Sequence, residues 1–295
     1  MTKYFQIFIC FLFLASCENN HKGTIDNHNE ILSEINQNDD TRTISEVEEI
    51  LNTIPSSNEI TATIKASGAP YSGLVINNPV NADSYTTHLR KAINLGIYST
   101  DLGYISAYDN SLAITEHLKV INDLASDMNL DHLINKKKID DLISNGHLSD
   151  SIFDVSSKLV TNICHHLHEN ERHEISVLLL IGGWLEAVHL ATSIAYNSKI
   201  NNPNLNSKIG AQKDILNKFI IVLEKYKDNQ FFNNLLTDFT RLKKLYQDVN
   251  VVSPKSNSDT TKIIIPINET EISEVQLAQI TIQLSKIRDE IINPT

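Results

Sequence analysis

The sequence has few of the residues that bend or cross-link a chain. It contains three cysteines, seven prolines and nine glycines in 295 residues, and proline and glycine together reach about half their usual share. This shortage argues against collagen-like, low-complexity and turn-rich all-β proteins. Basic residues are also fewer than acidic ones. The 25 Lys and Arg against 36 Asp and Glu give a formal net charge of −11. An acidic chain lacks the basic face that a nucleic-acid binder needs, so no nucleic-acid partner is predicted.

The first 16 residues are typical of a secretion signal. Lys3 precedes an apolar run over residues 4–15, which has the length of a signal-peptide core and is too short to span a bilayer. The run ends in Leu14-Ala15-Ser16-Cys17, a tetrad that resembles the lipobox of bacterial lipoproteins. The resemblance implies cleavage before Cys17, a diacylglycerol on its sulfur and an acyl chain, expected to be palmitate, on the new N-terminus. An ordinary secretory signal with a chance cysteine is the alternative.

Two acyl attachments anchor a protein stably, so the membrane is one predicted partner. Glu18, rather than aspartate, follows the cysteine, which by the same resemblance favours the outer membrane. The predicted location is therefore the cell envelope, with the protein lipid-anchored in the outer membrane.

The chain is predicted to divide into five parts. After the signal peptide 1–16, residues 17–43 hold the acylated cysteine and a polar, flexible tether. Residues 44–250 form a helical domain, and 251–270 form a linker with a short extended piece near 262–267. Residues 271–295 form a C-terminal amphipathic helix.

The absence of proline between Pro79 and Pro203 is the strongest helical signal. Apolar spacing predicts helices at 44–54, 57–67, 83–109, 111–128, 131–144, 149–169, 171–197, 203–226, 230–249 and 271–292. The last of these carries Val275, Ile282 and Ile287 among charged residues. Short loops between long helices favour antiparallel neighbours. The first two of these segments, 44–54 and 57–67, are only short candidates, and the predicted fold is an all-α antiparallel bundle of about seven to nine helices.

Small residues form a ridge on each of two predicted helices. The ridges consist of Gly96, Thr100, Gly103 and Ala107 on helix 83–109 and of Gly183, Ala187, Ala191 and Ala195 on helix 171–197. Glycine inside a helix costs ~1 kcal/mol of stability relative to alanine. The simplest compensation for this cost is that glycine lets two helices pack closely together. The ridges are predicted to face each other, with Gly96, Gly103, Gly182 and Gly183 at the close contact. A ligand slot beside the glycines is the alternative.

The same two helices carry narrow polar stripes. These supply the candidate polar site, which comprises Asp101, Tyr104, Tyr108, Glu186 and His189. A carboxylate among aromatic rings in a buried helix has a raised pKa and suits acid–base chemistry. A satisfied network that fixes helix register is the favoured interpretation, and no catalytic residue is assigned. Residues 175–195 are long enough to span a bilayer, but Glu186 and His189 inside them argue against a span.

Histidines between 165 and 189, next to Cys164, suggest zinc ligands. However, His165 and His168 lie opposite the apolar stripe of helix 149–169 and are expected to point into solvent. No HExxH pattern, Walker loop, GxSxG elbow or Rossmann fingerprint occurs. No metal and no cofactor are predicted. With Cys10 removed and Cys17 acylated, Cys164 has no intramolecular disulfide partner.

Four motifs together resemble an uncharacterised family of Bacteroidota-type outer-membrane lipoproteins, over roughly residues 45–250. They are Gly68-Ala69-Pro70-Tyr71, Asn94-Leu95-Gly96-Ile97-Tyr98, Asp101-Leu102-Gly103-Tyr104 and Gly182-Gly183-Trp184-Leu185-Glu186. The resemblance implies an α-helical lipoprotein with no established activity. Ser99-Thr100 and Ala187 stand where the family has smaller residues, which weakens the expectation of very tight packing there.

The function predicted from these features is a binding or scaffolding module of the cell envelope, with an envelope protein as its partner and no enzymatic activity. The alternative is a small-ligand receptor or an enzyme that uses a polar site between the helices carrying Asp101 and Glu186/His189. A metal-storage protein that uses residues 165–173 is the third hypothesis.

Overall fold

The structure, a computed structural model, describes residues 57–135, 137, 139, 141, 148–197, 202–247, 249–252 and 269–294. The predicted signal peptide 1–16, tether 17–43, helix 44–54 and extended piece 262–267 lie outside the described residues.

Within the described residues the chain is an all-α multi-helix bundle, which confirms the predicted fold class. The helices are α1 (Ser57–Ala66), α2 (His88–Ala107), α3 (Ser111–Asp127), α4 (Leu148–Glu169), α5 (His173–Asn197), α6 (Pro203–Lys225), α7 (Gln230–Tyr246) and α8 (Glu274–Ile292). Two short strands, β1 (Asn250–Val252) and β2 (Glu269–Glu271), pair antiparallel with Val251 opposite Thr270. Short 3-10 turns span Pro79–Ser84 and Asp131–Leu133.

Several helix bounds differ from their predicted positions. The helix predicted from residue 83 begins at His88, where the Thr87 hydroxyl accepts a hydrogen bond from the Arg90 amide. The continuous helix predicted over 131–144 is wrong, since the backbone at Ile134 is extended after the 3-10 turn. The helix predicted to residue 249 ends at Tyr246, because the chain then enters β1.

The core is organised around α5. This helix is buried from Ile175 to Ala195, and its most extensive contact is with α2. Trp184 packs against Phe219 and Phe239, with ring centroids 5.4 Å apart in both pairs. By length and apolarity α5 is the one described helix that would suit a membrane span. Its apolar stretch is wholly buried in the bundle, as in the core helix of a globular domain.

The three apolar residues noted in the sequence of α8 do not share one buried face. Val275 and Ile282 are 67% and 66% exposed, while Ile287 is buried. The buried face follows Ile280, Leu284, Ile287 and Ile291, a spacing of four, three and four residues that keeps side chains on one side of a helix. Val275 and Ile282 lie off this face and remain in solvent.

Candidate functional site

The backbones of α2 and α5 meet at two glycines. A Cβ atom added to Gly96 would lie 2.1 Å from the carbonyl oxygen of Leu179, and one added to Gly182 would lie 1.9 Å from that of Ile93. No side chain fits at such distances, so the helices approach as closely as they do because these positions lack a Cβ. The two predicted ridges therefore meet at Gly96 and Gly183.

Residues beside these glycines are packed less tightly. A Cβ at Gly183 would meet nothing nearer than the Thr100 hydroxyl, at 3.4 Å. That hydroxyl donates a hydrogen bond to the Gly183 carbonyl at 3.1 Å, so Thr100 links the helices despite its size. Gly103 and Ala187 are buried on α2 and α5 respectively.

A cluster of buried charges lies beside this helix pair. Glu186 of α5 receives two hydrogen bonds from Arg288 of α8, from Nε to Oε2 at 2.5 Å and from Nη2 to Oε1 at 2.8 Å. Both side chains are buried. Burial opposes ionisation of Glu186, but the adjacent guanidinium outweighs it and lowers the pKa of this carboxyl. Glu186 is therefore an anion, and the pair joins the C-terminal helix to the centre of the bundle.

Asp101 of α2 completes the cluster as a neutral acid. Its Oδ2 accepts a hydrogen bond from the Asn77 amide at 2.9 Å, while its Oδ1 accepts none within the described part of the chain. Burial, followed by the negative charge of Glu186, raises the pKa of Asp101 well above its ordinary value. Asp101 thus keeps its proton and donates it toward Glu186. One anion, one cation and one neutral acid sum to zero charge, which suits a buried site.

His189 lies one turn beyond Glu186 and connects the cluster to the surface. Its Nδ1 is 3.4 Å from the Ser193 hydroxyl and 3.5 Å from the Ser285 hydroxyl, and the ring also donates to the Val75 carbonyl. Burial lowers the pKa of His189 to about 4, so the ring is neutral at pH 7.

This burial predicts a pH dependence of stability. The groups that face His189 are Glu186, Arg288, Asp289, Ser193 and Ser285. An unfolded histidine has an ordinary pKa of about 6.5, so its contribution is complete above pH 6.5 and is lost as the pH falls towards 4. The loss is on the order of 3 kcal/mol. Urea unfolding at a series of pH values should show the stability of the native protein approaching that of His189→Gln across this window.

Two other carboxyl groups bear on that measurement. The raised pKa of Asp101 acts in the opposite direction, since it favours folding at low pH, whereas the lowered pKa of Glu186 adds to the acid loss below about pH 4.5. Both groups are present in the native protein and in His189→Gln, so the difference between the two reports the histidine together with its charge interaction with Glu186. A difference that does not change between pH 7 and pH 4 would contradict the assignment.

Tyr104 and Tyr108 do not join the charged cluster. Tyr104 stacks on Tyr71 with ring centroids 5.5 Å apart, and Tyr108 packs at a tilt against both rings, 5.7 Å from Tyr71 and 5.2 Å from Tyr104. The Tyr104 hydroxyl accepts a hydrogen bond from the Ser72 amide at 2.9 Å, and the Tyr108 hydroxyl donates to the Ala69 carbonyl at 2.8 Å. These two tyrosines of the candidate site therefore fasten the segment before α2 to that helix.

The buried carboxyls line neither of two surface grooves found among the described residues. One groove, of about 730 Å³, lies between the C-terminal end of α5 and α8. The other, of about 720 Å³, lies between the 3-10 turn Pro79–Ser84, α2 and α3. Ser193 and Ser285 line the first groove, so their hydroxyls lie between that groove and His189.

Sequence reasoning missed Arg288 and Asn77. The signal for Arg288 was present, because it follows Leu284 by four residues and so shares the buried face of α8. An arginine on such a face requires an anion. The role of Asn77 could not be predicted from the sequence. Its backbone amide donates the hydrogen bond to Asp101, and any residue other than proline has such an amide.

The histidine-rich segment differs from expectation at one position. His165 is exposed as predicted, but His168 is half-buried against His173 instead of pointing into solvent. The Cys164 thiol is free and buried, and faces the Ser176 carbonyl. No group of three or more His, Cys, Asp or Glu side chains is arranged to hold a metal ion within the described residues.

The fold and site define an all-helical bundle with a buried, internally neutral ion cluster. The sequence matches no protein-family model, and neither a curated protein nor a solved structure matches it.

Proposed function

We propose that this protein is a lipid-anchored component of the cell envelope, held in the outer membrane, whose helical domain binds a partner protein and performs no catalysis. The observation that carries the non-catalytic part is the closure of the Asp101, Glu186 and Arg288 cluster. Glu186 and Arg288 hydrogen-bond to each other, all three side chains are buried, and none of them lines either groove. A catalytic group must meet its substrate, whereas this cluster fixes α2, α5 and α8 against one another.

The anchor part of the proposal is supported by Leu14-Ala15-Ser16-Cys17 and by the polar residues that follow it. A tether of this composition holds a domain away from the membrane without ordering it. The resemblance to Bacteroidota-type outer-membrane lipoproteins supports the same location.

The groove between α5 and α8 is the proposed binding surface. Tyr196 and Ile282 line it and are 48% and 66% exposed. Its rim carries Lys286, Asp289 and Glu290. Aromatic and aliphatic anchors inside a charged rim are typical of protein interfaces, and charges of both signs suit a protein partner.

The test is site-specific photo-crosslinking in cells that produce the full-length chain. A crosslinking amino acid at position 282 should capture one discrete partner. The same amino acid at position 275 is the matched control, because Val275 and Ile282 lie on α8 with nearly equal exposure and only Ile282 lines the groove. Equal capture at both positions, or none at 282, would contradict the proposed surface.

The same experiment tests the anchor when it is repeated with Cys17→Ala. We expect labelled palmitate to be incorporated into the native chain and absent from the variant, which should leave the membrane fraction because no acyl chain remains to bury. Capture at position 282 should fall with it. A variant that keeps its label and its membrane association would contradict lipidation at Cys17 while leaving the groove result intact.

The second candidate is a small-ligand receptor or an enzyme, and the link from His189 to the groove favours it. Ser193 and Ser285 both line the groove and both contact this imidazole. Native mass spectrometry of the full-length chain distinguishes the two proposals. A bound small molecule that disappears in Ser285→Ala, with no crosslink at position 282, would favour the second candidate.

A further inference from the structure

The turn between α4 and α5 brings two histidines together. Glu171 adopts a left-handed conformation with φ of 57°, and the Arg172 amide donates to the Leu167 carbonyl at 2.8 Å. This closes the end of α4 and folds the start of α5 back on it. As a result His173, the first residue of α5, contacts His168 in the last turn of α4.

The geometry of the histidine pair is close to that of two ligands on one ion. The Nδ1 atoms are 3.2 Å apart, and the ring centroids are 4.7 Å apart with planes inclined at 61°. Two imidazole nitrogens at the usual Zn–N distance and the tetrahedral angle lie about 3.3–3.4 Å from each other. The Nδ1 atoms are therefore within a few tenths of an ångström of the separation that one shared ion requires, and a turn of the rings would point both nitrogens at it.

We propose that His168 and His173 form a two-histidine site for a divalent transition-metal ion of borderline softness, such as Zn²⁺ or Cu²⁺. Neutral imidazole is the ligand that such ions favour. Both histidines bind the ion through Nδ1. In the metal-free protein one of the two rings carries a proton on Nδ1, and when the ion binds, that ring carries its proton on Nε2 instead. Two ligands leave two tetrahedral positions open to water or to an external ligand. The proposal departs from the absence of a metal predicted from the sequence.

Two features make the pair more than a chance surface contact. Both rings are half-buried, which limits their rotation, and the closed turn fixes their helices relative to each other. Little conformational entropy is then lost when the ion binds. The binding is independent of the proposed groove function, because neither histidine lines that groove.

The test is a titration of the untagged full-length protein with Zn²⁺ and with Cu²⁺, followed by calorimetry. We expect one ion per chain, with affinity reduced at least about tenfold in His168→Ala and in His173→Ala, since even outer-shell contacts to a metal are worth that much. Paramagnetic resonance of bound Cu²⁺ should show coupling to two imidazole nitrogens, which a merely structural histidine would not produce.

His166→Ala is the matched control. His166 is on the same helix, is half-buried and also packs on another histidine, His132, with centroids 4.9 Å apart. The His166→Ala variant should bind the metal ion with the affinity of the native protein. Equal losses in all three variants would indicate adventitious binding to surface histidines and overturn the proposal, as would the absence of binding. His168→Gln and His173→Gln replace any alanine variant that fails to fold.

Discussion

Replacing Gly182 with alanine should destabilise the helical domain by about 3 kcal/mol or more. The new methyl group would lie 1.9 Å from the backbone oxygen of Ile93. A backbone atom cannot rotate away as a side chain can, so α2 and α5 would have to separate along their contact. Urea unfolding of the purified protein measures the loss. Gly96→Ala meets the Leu179 carbonyl at 2.1 Å and should behave in the same way.

The neighbouring glycine supplies the control. At Gly183 an added Cβ meets only the Thr100 hydroxyl at 3.4 Å and the Gly96 carbonyl at 3.7 Å, both ordinary contacts. Alanine is also the better helix former by ~1 kcal/mol. Gly183→Ala should therefore stay within about 1 kcal/mol of the native protein. If Gly182→Ala and Gly183→Ala lose the same stability, close backbone contact does not determine how these helices pack.

The second large effect is expected at Arg288. Arg288→Met keeps much of the side-chain volume but leaves the buried carboxylate of Glu186 without its cation. Breaking a buried pair from one side costs roughly 3–5 kcal/mol. Glu186 would then be easier to protonate than to ionise, so the loss relative to the native protein should shrink as the pH is lowered from 7 to 5. Denaturation curves at both pH values measure this difference.

Two further variants separate charge from packing. Glu186→Gln combined with Arg288→Met removes both charges and should recover most of the stability that Arg288→Met loses, since a neutral pair needs no counter-charge. Asp101→Asn should cost less than about 1 kcal/mol, because an amide also donates a hydrogen bond as the protonated acid does. A large loss in Asp101→Asn would show that Asp101 is ionised in the folded protein.

Most of the helices could be predicted from the sequence, because the periodic spacing of apolar residues along a helix is a local property. Gly68, at a φ of 80°, ends α1 close to the predicted residue, and Pro203 opens α6. The side-by-side arrangement of α2 and α5 followed from small residues on both helices. That arrangement also brought Asp101 next to Glu186, as the two polar stripes implied.

What could not be read depends on contacts between elements that are far apart in sequence. The buried face of α8 could not be predicted, because Val275 and Ile282 are as apolar as the residues that are buried. Which face is covered depends on the helices that pack against α8, chiefly α5 and α7. The contact between His168 and His173 depends on the turn between α4 and α5. The pattern of apolar and polar residues along one helix does not predict how the next helix is oriented against it.

The pairing of β1 with β2 ties the start of α8 to the end of α7. The ladder places Val252 opposite Glu269, only a few residues from the ends of the two helices. The position of α8 therefore depends on backbone hydrogen bonds as well as on side-chain packing. By holding the first turn of α8 in place, the two strands help to keep Arg288 on Glu186.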